Sequence, residues 1–145
     1  MTSQLNVDTI VDKAGSGGTN VKVANTSTYV SDGGTKTQNT VQGLLKGWCH
    51  FTMVSSHAYR DSFNCGTLTD GGTGIATVNL TNPFSNDDWA GSMFTNAYNT
   101  TASFSNQYAG GFDNRTSSSV RLVAHNGSNA ADAHLNDIHF AGDLA

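Results

Sequence analysis

The chain has 145 residues and a formal net charge of −4, and charged residues make up only 12 % of it. Its polarity comes instead from small uncharged residues, since it holds 18 Thr, 15 Ser, 15 Asn and 16 Gly. A weakly acidic chain lacks the basic surface that nucleic acid requires. No apolar run approaches the roughly 18–20 residues of a membrane span. We therefore expect neither nucleic acid nor a membrane as a partner.

The N-terminal segment alternates apolar and polar residues, which is the period-two pattern of a strand. The alternation stops at a glycine-rich turn over 12–18 and then resumes, so residues 4–24 are predicted to form a β-hairpin. An isolated hairpin is marginal in water, and this one is expected to lie on another copy or on a larger particle. We interpret residues 1–38 as an N-terminal attachment arm and linker. Its docking residues are Leu5, Val7, Thr9, Val11, Val21 and Val23.

A short helix is predicted next, because four apolar residues follow the i, i+3, i+4, i+7 spacing of one helix face. They are Val41, Leu44, Leu45 and Trp48. Thr40 stands where it could cap the helix. Two turns that contain two glycines are not stable alone. The apolar face is therefore expected to pack on its own domain or against symmetry copies around an axis.

From Trp48 onward the sequence has the pattern of one β domain. The clearest hairpin joins residues 60–69 to 75–81 through a turn with three glycines. Residues 98–118 show no clear alternation. Six or seven short strands with polar turns favour an all-β fold, with an antiparallel β-sandwich knob over residues 39–145. The predicted strands are 48–54, 60–69, 75–81, 89–97, 119–125 and 135–140.

Five stretches resemble tail-fibre and other virion appendage proteins of marine bacteriophages, including cyanophages. They are residues 5–12, 39–44, 60–64, 68–74 and 138–144. The resemblance implies a homotrimer located in the virion and assembled in the host cytoplasm, with other virion proteins as partners. It implies a short tail fibre, spike or fibre-tip protein. A capsid decoration or head-fibre protein and a carbohydrate-binding module remain alternatives.

The segment 89–116 has no counterpart in that resemblance, and it is where we expect any contact with a host-surface glycan or protein. Aromatic rings are common handles for such ligands. The candidate receptor-facing residues are Trp89, Tyr98 and Tyr108. Packing in the core or between subunits is the alternative role for the same rings.

No catalytic residue, cofactor or resident metal is predicted. The chain has neither a nucleophile elbow nor a phosphate-binding glycine loop, and it contains no glutamate. The histidines at 50, 57, 125, 134 and 139 lack zinc-ligand spacing. Near a trimer axis, Asp137 and His139 would be the best candidates for a shared metal site.

The two cysteines, Cys49 and Cys65, are too few for a disulfide framework. Each lies inside a predicted strand beside apolar residues. Two reduced core thiols are the expected state, and a single bridge between them is the alternative.

Overall fold

The computed structural model describes residues 27–30, 34–41, 43–96 and 108–143. Every regular element within these ranges is a β-strand and every pairing is antiparallel, which confirms the all-β prediction. The six predicted docking residues of the arm, from Leu5 to Val23, lie outside the described residues, as does Tyr98. The strands are β1 (Thr28–Val30), β2 (Thr37–Asn39), β3 (Gly47–Thr52), β4 (Ala58–Phe63), β5 (Cys65–Asp70), β6 (Ile75–Leu80), β7 (Ala90–Asn96), β8 (Ala109–Arg115), β9 (Ser119–His125) and β10 (Leu135–Ala141).

The chain divides into two compact units between Val41 and Gln42. In the first unit β1 pairs with β2 in an antiparallel hairpin. The amide of Thr40 donates to the Ser27 carbonyl at 2.9 Å and extends the pairing by one residue. Tyr29 and Val30 are exposed. The predicted boundary between the arm and the knob, at residues 38 and 39, stays a prediction.

The second unit contains two four-stranded sheets. Sheet I has the strand order β4-β3-β10-β7, and sheet II has the order β5-β6-β9-β8. Strand burial alternates, as in β3, where every second residue is buried, because successive side chains point to opposite faces of a sheet. Both sheets contribute their inward-facing side chains to one hydrophobic core. Its strand residues include Cys49, Phe51, Ile138 and Phe140 from sheet I and Ala76, Val78, Val120, Leu122 and Ala124 from sheet II.

The helix predicted over residues 41–48 is wrong where the structure describes it. Residues 43–46 form a turn and irregular chain, and β3 begins at Gly47. The helical spacing of the apolar residues is outweighed by strand pairing. The Lys46 amide donates to the Phe140 carbonyl at 2.9 Å, and β3 then pairs with both β10 and β4. Two glycines in so short a segment weaken a helix further.

The single strand predicted over 60–69 is two strands that belong to different sheets. The break is Asn64, whose φ is 58°, a conformation that asparagine tolerates better than most residues. Its side chain holds the corner: Nδ2 donates to the Lys46 carbonyl at 2.8 Å, and Oδ1 accepts from the Asn82 amide at 2.7 Å. One residue therefore passes the chain from sheet I to sheet II.

An exposed ion pair joins β8 to β9. The Arg121 guanidinium donates through Nε to Asp113 Oδ1 at 2.9 Å and through Nη2 to Oδ2 at 2.6 Å. These hydrogen bonds, together with the positive charge, lower the pKa of the Asp113 carboxyl below its ordinary value. The bidentate geometry ties edge strand β8 to its neighbour.

We predict that Arg121→Met returns the pKa of Asp113 towards the ordinary range for aspartate. The physical reason is that the carboxylate loses its hydrogen-bond donors and the nearby positive charge. Titration of the side-chain carboxyl groups by NMR measures the shift. The control is Arg60→Met, which removes an arginine from the other sheet. An unchanged Asp113 pKa in Arg121→Met would contradict the pairing.

Candidate functional site

Sheet I has an outer face that combines aromatic and ionisable side chains. Trp48 and His50 alternate with buried residues of β3, so both point away from the core. Cross-strand register sets their neighbours, because opposed residues share one face of a sheet. The outer face is defined here as two rows across the strands β4, β3, β10 and β7. The first row is Phe63, Trp48, His139 and Ser92, and the second is Asp61, His50, Asp137 and Phe94.

A histidine lies between two carboxylate-bearing residues in the second row. His50 Nδ1 is 3.4 Å from Asp137 Oδ1, and both side chains are partly exposed. Asp61 is the register partner of His50 on the other side. His50 Nε2 is buried and has no hydrogen-bond partner. The arrangement makes the middle of the outer face polar and able to form an ion pair when the imidazole is protonated.

Aromatic rings flank this polar centre on the two edge strands. Phe63 on β4 is 55 % exposed, and Phe94 on β7 is 61 % exposed. Trp48 lies between them in a half-buried position. Apolar surface of this kind, placed beside polar groups, commonly marks a surface that another molecule covers.

A shallow groove of about 210 Å³ adjoins the outer face beside β7 and β10. Its lining consists of small residues, whose side chains cover little of the backbone, and of three residues with larger side chains. The lining residues are Leu45, Ala90, Gly91, Ser92, His139, Phe140 and Ala141. Leu45 is more than half exposed at its rim. The groove therefore offers a concave apolar surface at the β7 side of sheet I.

The predicted packing residues only partly come together. Leu45 and Trp48 lie in the second unit, at the groove and on the outer face, and Leu44 is exposed next to Leu45. Val41 belongs to the first unit. Since the helix that grouped the four residues is not formed, they do not make one apolar face of a helix. Their role in trimer packing stays a prediction.

Trp89 does not face a receptor, and this prediction is corrected. Its side chain is only 2 % exposed, and it lies in the hydrophobic core of the second unit. Its ring stacks on Phe84 at 5.5 Å between centroids, and its Nε1 donates to the Thr116 carbonyl at 2.9 Å. Tyr108 is partly buried and also packs against the core. These residues therefore take the packing role that was the alternative.

Sequence reasoning did not select Phe63 and Phe94 as candidate receptor-facing residues. The alternation in residues 47–52 shows two faces, but both faces carry large side chains, with Trp48 on one and Phe51 on the other. Such a pattern does not reveal which face meets the core. The cross-strand neighbours of Phe63 and Phe94, a tryptophan and an aspartate, become visible only when the register is known.

The histidines have structural surroundings of different kinds. The His57 side chain is 5 % exposed, with Nε2 3.1 Å from the Ile75 carbonyl and Nδ1 3.5 Å from Asp70 Oδ2. His139 and Asp137 lie on the outer face, whereas Ile138 between them is buried. Within the described ranges, no group of three or more His, Cys or Asp side chains is arranged to hold a metal ion.

Comparison with known proteins gives no family for this chain: no protein-family model, curated protein or solved structure matches it. Among the residues that the structure describes, no helix is long and apolar enough to cross a membrane.

Proposed function

We propose that the protein is a structural protein of a bacteriophage particle, a short trimeric tail fibre, spike or fibre-tip protein. In this proposal residues 1–38 attach to other virion proteins, and the two sheets form a β-sandwich knob. The observation that carries the proposal is the exposure of Leu45, Phe63 and Phe94 on and beside the outer face of a small domain. The resemblance to virion appendage proteins supports the same assignment.

The positions of these apolar residues suit contact with other copies of the chain. Phe63 and Phe94 lie on β4 and β7, which are the opposite edge strands of sheet I. The groove beside Leu45 lies at the β7 side. A head-to-tail contact joins different surfaces of two copies and closes into a ring at three subunits when the rotation is 120°. The β4 side of one copy would then cover the β7 side of the next.

The small number of ionisable groups on the outer face supports the same ring of three copies. The outer face has Asp61, Asp137, His50 and His139 as its ionisable groups, so close approach of identical copies brings few like charges together. Thr, Ser, Asn and Gly supply much of the polarity of the chain. Short polar side chains of this kind lose little conformational entropy when another copy packs on them.

We predict a mass of three chains in solution for the full chain and for a chain starting at Asn39, measured by light scattering. The double substitution Phe63→Ser and Phe94→Ser is expected to shift the mass to that of one chain, because the apolar contact is lost. Val123→Ser, on the outward side of sheet II, is the control that leaves the trimer intact.

Two outcomes would contradict this proposal. A single-chain mass for the unsubstituted protein at high concentration would remove the trimer and favour a capsid decoration subunit or a carbohydrate-binding module. An intact trimer in the double variant would be consistent with a trimeric protein but would exclude the outer face as the contact between subunits.

A further inference from the structure

We propose that Cys49 and Cys65 form an oxidisable pair that closes to a disulfide between sheet I and sheet II on exposure to a low-molecular-weight disulfide. Both cysteines are free thiols in the structure. Cys49 belongs to β3 in sheet I, and Cys65 is the first residue of β5 in sheet II. The bridge would therefore link the two layers of the domain directly.

The corner at Asn64 brings the two thiols together. Cys49 is the register partner of Ser62 on β4. The left-handed conformation at Asn64 then redirects the chain, and Cys65 begins β5 packed against the same core that Cys49 enters. The Cys65 Sγ lies 3.4 Å from the carbonyl oxygen of Trp48, which is the residue before Cys49.

Each thiol also shifts the pKa of the other, as expected for neighbouring side chains that pack in one core. A disulfide requires Cα atoms about 4.4–6.8 Å apart and an S–S bond of about 2.05 Å. Both side chains pack in the same core and the Cys65 Sγ lies against Trp48, the residue before Cys49, so we expect side-chain rotation to bring the two sulfur atoms together.

The surroundings assign different roles to the two sulfur atoms. The neighbouring Cys49 thiol lowers the pKa of Cys65, which is half-buried on an edge strand. The neighbouring Cys65 thiol and burial raise the pKa of Cys49, which is 2 % exposed. Because the thiolate is the nucleophile in disulfide exchange, Cys65 reacts first and Cys49 second.

With oxidised glutathione as the oxidant, the chemistry proceeds in two displacements. The Cys65 thiolate attacks one glutathione sulfur, so that a mixed disulfide forms and the glutathione S–S bond breaks with release of one glutathione thiolate. Cys49 then gives its proton to water and attacks the Cys65 sulfur, which displaces the second glutathione. The protein loses two electrons and two protons, and oxidised glutathione becomes two reduced molecules.

If the proposed function holds, it also determines when the disulfide forms. A reducing cytoplasm keeps such a pair as thiols, whereas the medium outside the cell favours the disulfide. The bridge would then form after particle release and would stabilise the knob only in the free virion. The bridge itself depends on the local geometry and not on the virion assignment.

The test is intact-mass analysis of the folded full chain incubated with oxidised glutathione. We expect a loss of about 2 Da per chain, reversed by dithiothreitol, and a cross-linked peptide that contains Cys49 and Cys65. The unfolding midpoint should rise by about 10 °C, since the bridge closes a short loop between two sheets. The readout is the mass of a single chain, so it is independent of whether the protein forms trimers.

Two cysteine variants separate the roles. Cys49→Ser should accumulate a stable mixed disulfide with one added glutathione at Cys65. Cys65→Ser should stay unmodified over the same period, because Cys49 is buried. Oxidation of the unsubstituted chain only after unfolding in urea would overturn the proposal, as would bridges formed only between chains or glutathione trapped first at Cys49.

Discussion

Replacing Trp89 with alanine should lower the free energy of unfolding by about 4 kcal/mol, in the range measured for large buried aromatic residues. The indole stacks on Phe84 with 5.5 Å between centroids. It also packs edge-on against Phe112 at 5.9 Å and Phe140 at 5.4 Å. Truncation would leave a cavity that three neighbouring rings line and that the two sheets cannot easily collapse to fill.

Polar contacts fix the orientation of the same indole. The Arg115 guanidinium lies 5.4 Å from the ring centroid, in cation–π geometry, and its Nη1 donates to the Trp89 carbonyl at 3.2 Å. The indole Nε1 donates to the Thr116 carbonyl. Trp89→Phe keeps part of the packing but loses this hydrogen bond, so its cost should be smaller, about 2 kcal/mol.

Urea unfolding followed by circular dichroism at one fixed protein concentration measures both variants. Tyr29→Ala is the matched control, because it removes an aromatic ring that is 64 % exposed and should change stability by less than about 0.5 kcal/mol. Equal effects of Trp89→Ala and Tyr29→Ala would show that the ring is not a core residue.

Asn136→Asp is expected to destabilise the protein by about 3 kcal/mol at neutral pH, although the side chains have nearly the same shape. Asn136 is fully buried on β10 between β3 and β7. Its Nδ2 donates to the Ala133 carbonyl at 3.1 Å, and its Oδ1 accepts from Thr95 Oγ1 at 2.9 Å. The substitution removes the donor and sets a carboxylate against a carbonyl oxygen.

The stability deficit of Asn136→Asp should shrink as the pH falls from 7 to 4. Burial and the facing carbonyl oxygen raise the pKa of the introduced carboxyl in the folded state above its unfolded value. Protonation therefore favours the folded state, and the deficit is largest above the folded-state pKa. Unfolding curves at the two pH values measure this change. The control is Asn129→Asp at an exposed position, and a deficit independent of pH would contradict the mechanism.

The part of the fold that the sequence predicted best is the turn between β5 and β6 together with strand β6. The turn holds Gly72 and Gly74 at positive φ, and the inward-facing Ala76 and Val78 are fully buried. Local alternation and turn chemistry agree there, so short-range information is sufficient. Strands β9 and β10 were predicted for the same reason. All three cases depend on residues close together in the chain.

Other parts depend on pairing between distant residues, which a single sequence does not reveal. Strand β8 has Gly110 and Gly111 in its first half and only one partly buried large side chain, so it shows little alternation. The apolar spacing at 41–48 fitted a helix because nothing local indicated that Gly47 would pair with Phe140. The burial of Asn136 has the same origin, since cross-strand partners decide which side of a strand meets the core.

The central place of β10 in sheet I makes the pairing of that sheet depend on the last strand of the chain's described part. All four strands of sheet II precede β10 in the chain, so that sheet can pair without residues 135–141. Strands β3 and β7 must wait for residues 135–141, because β10 lies between them. During that interval both strands have unpaired backbone edges that a neighbouring nascent chain can occupy. We therefore expect exchange of β10 between chains to be a route of misassembly.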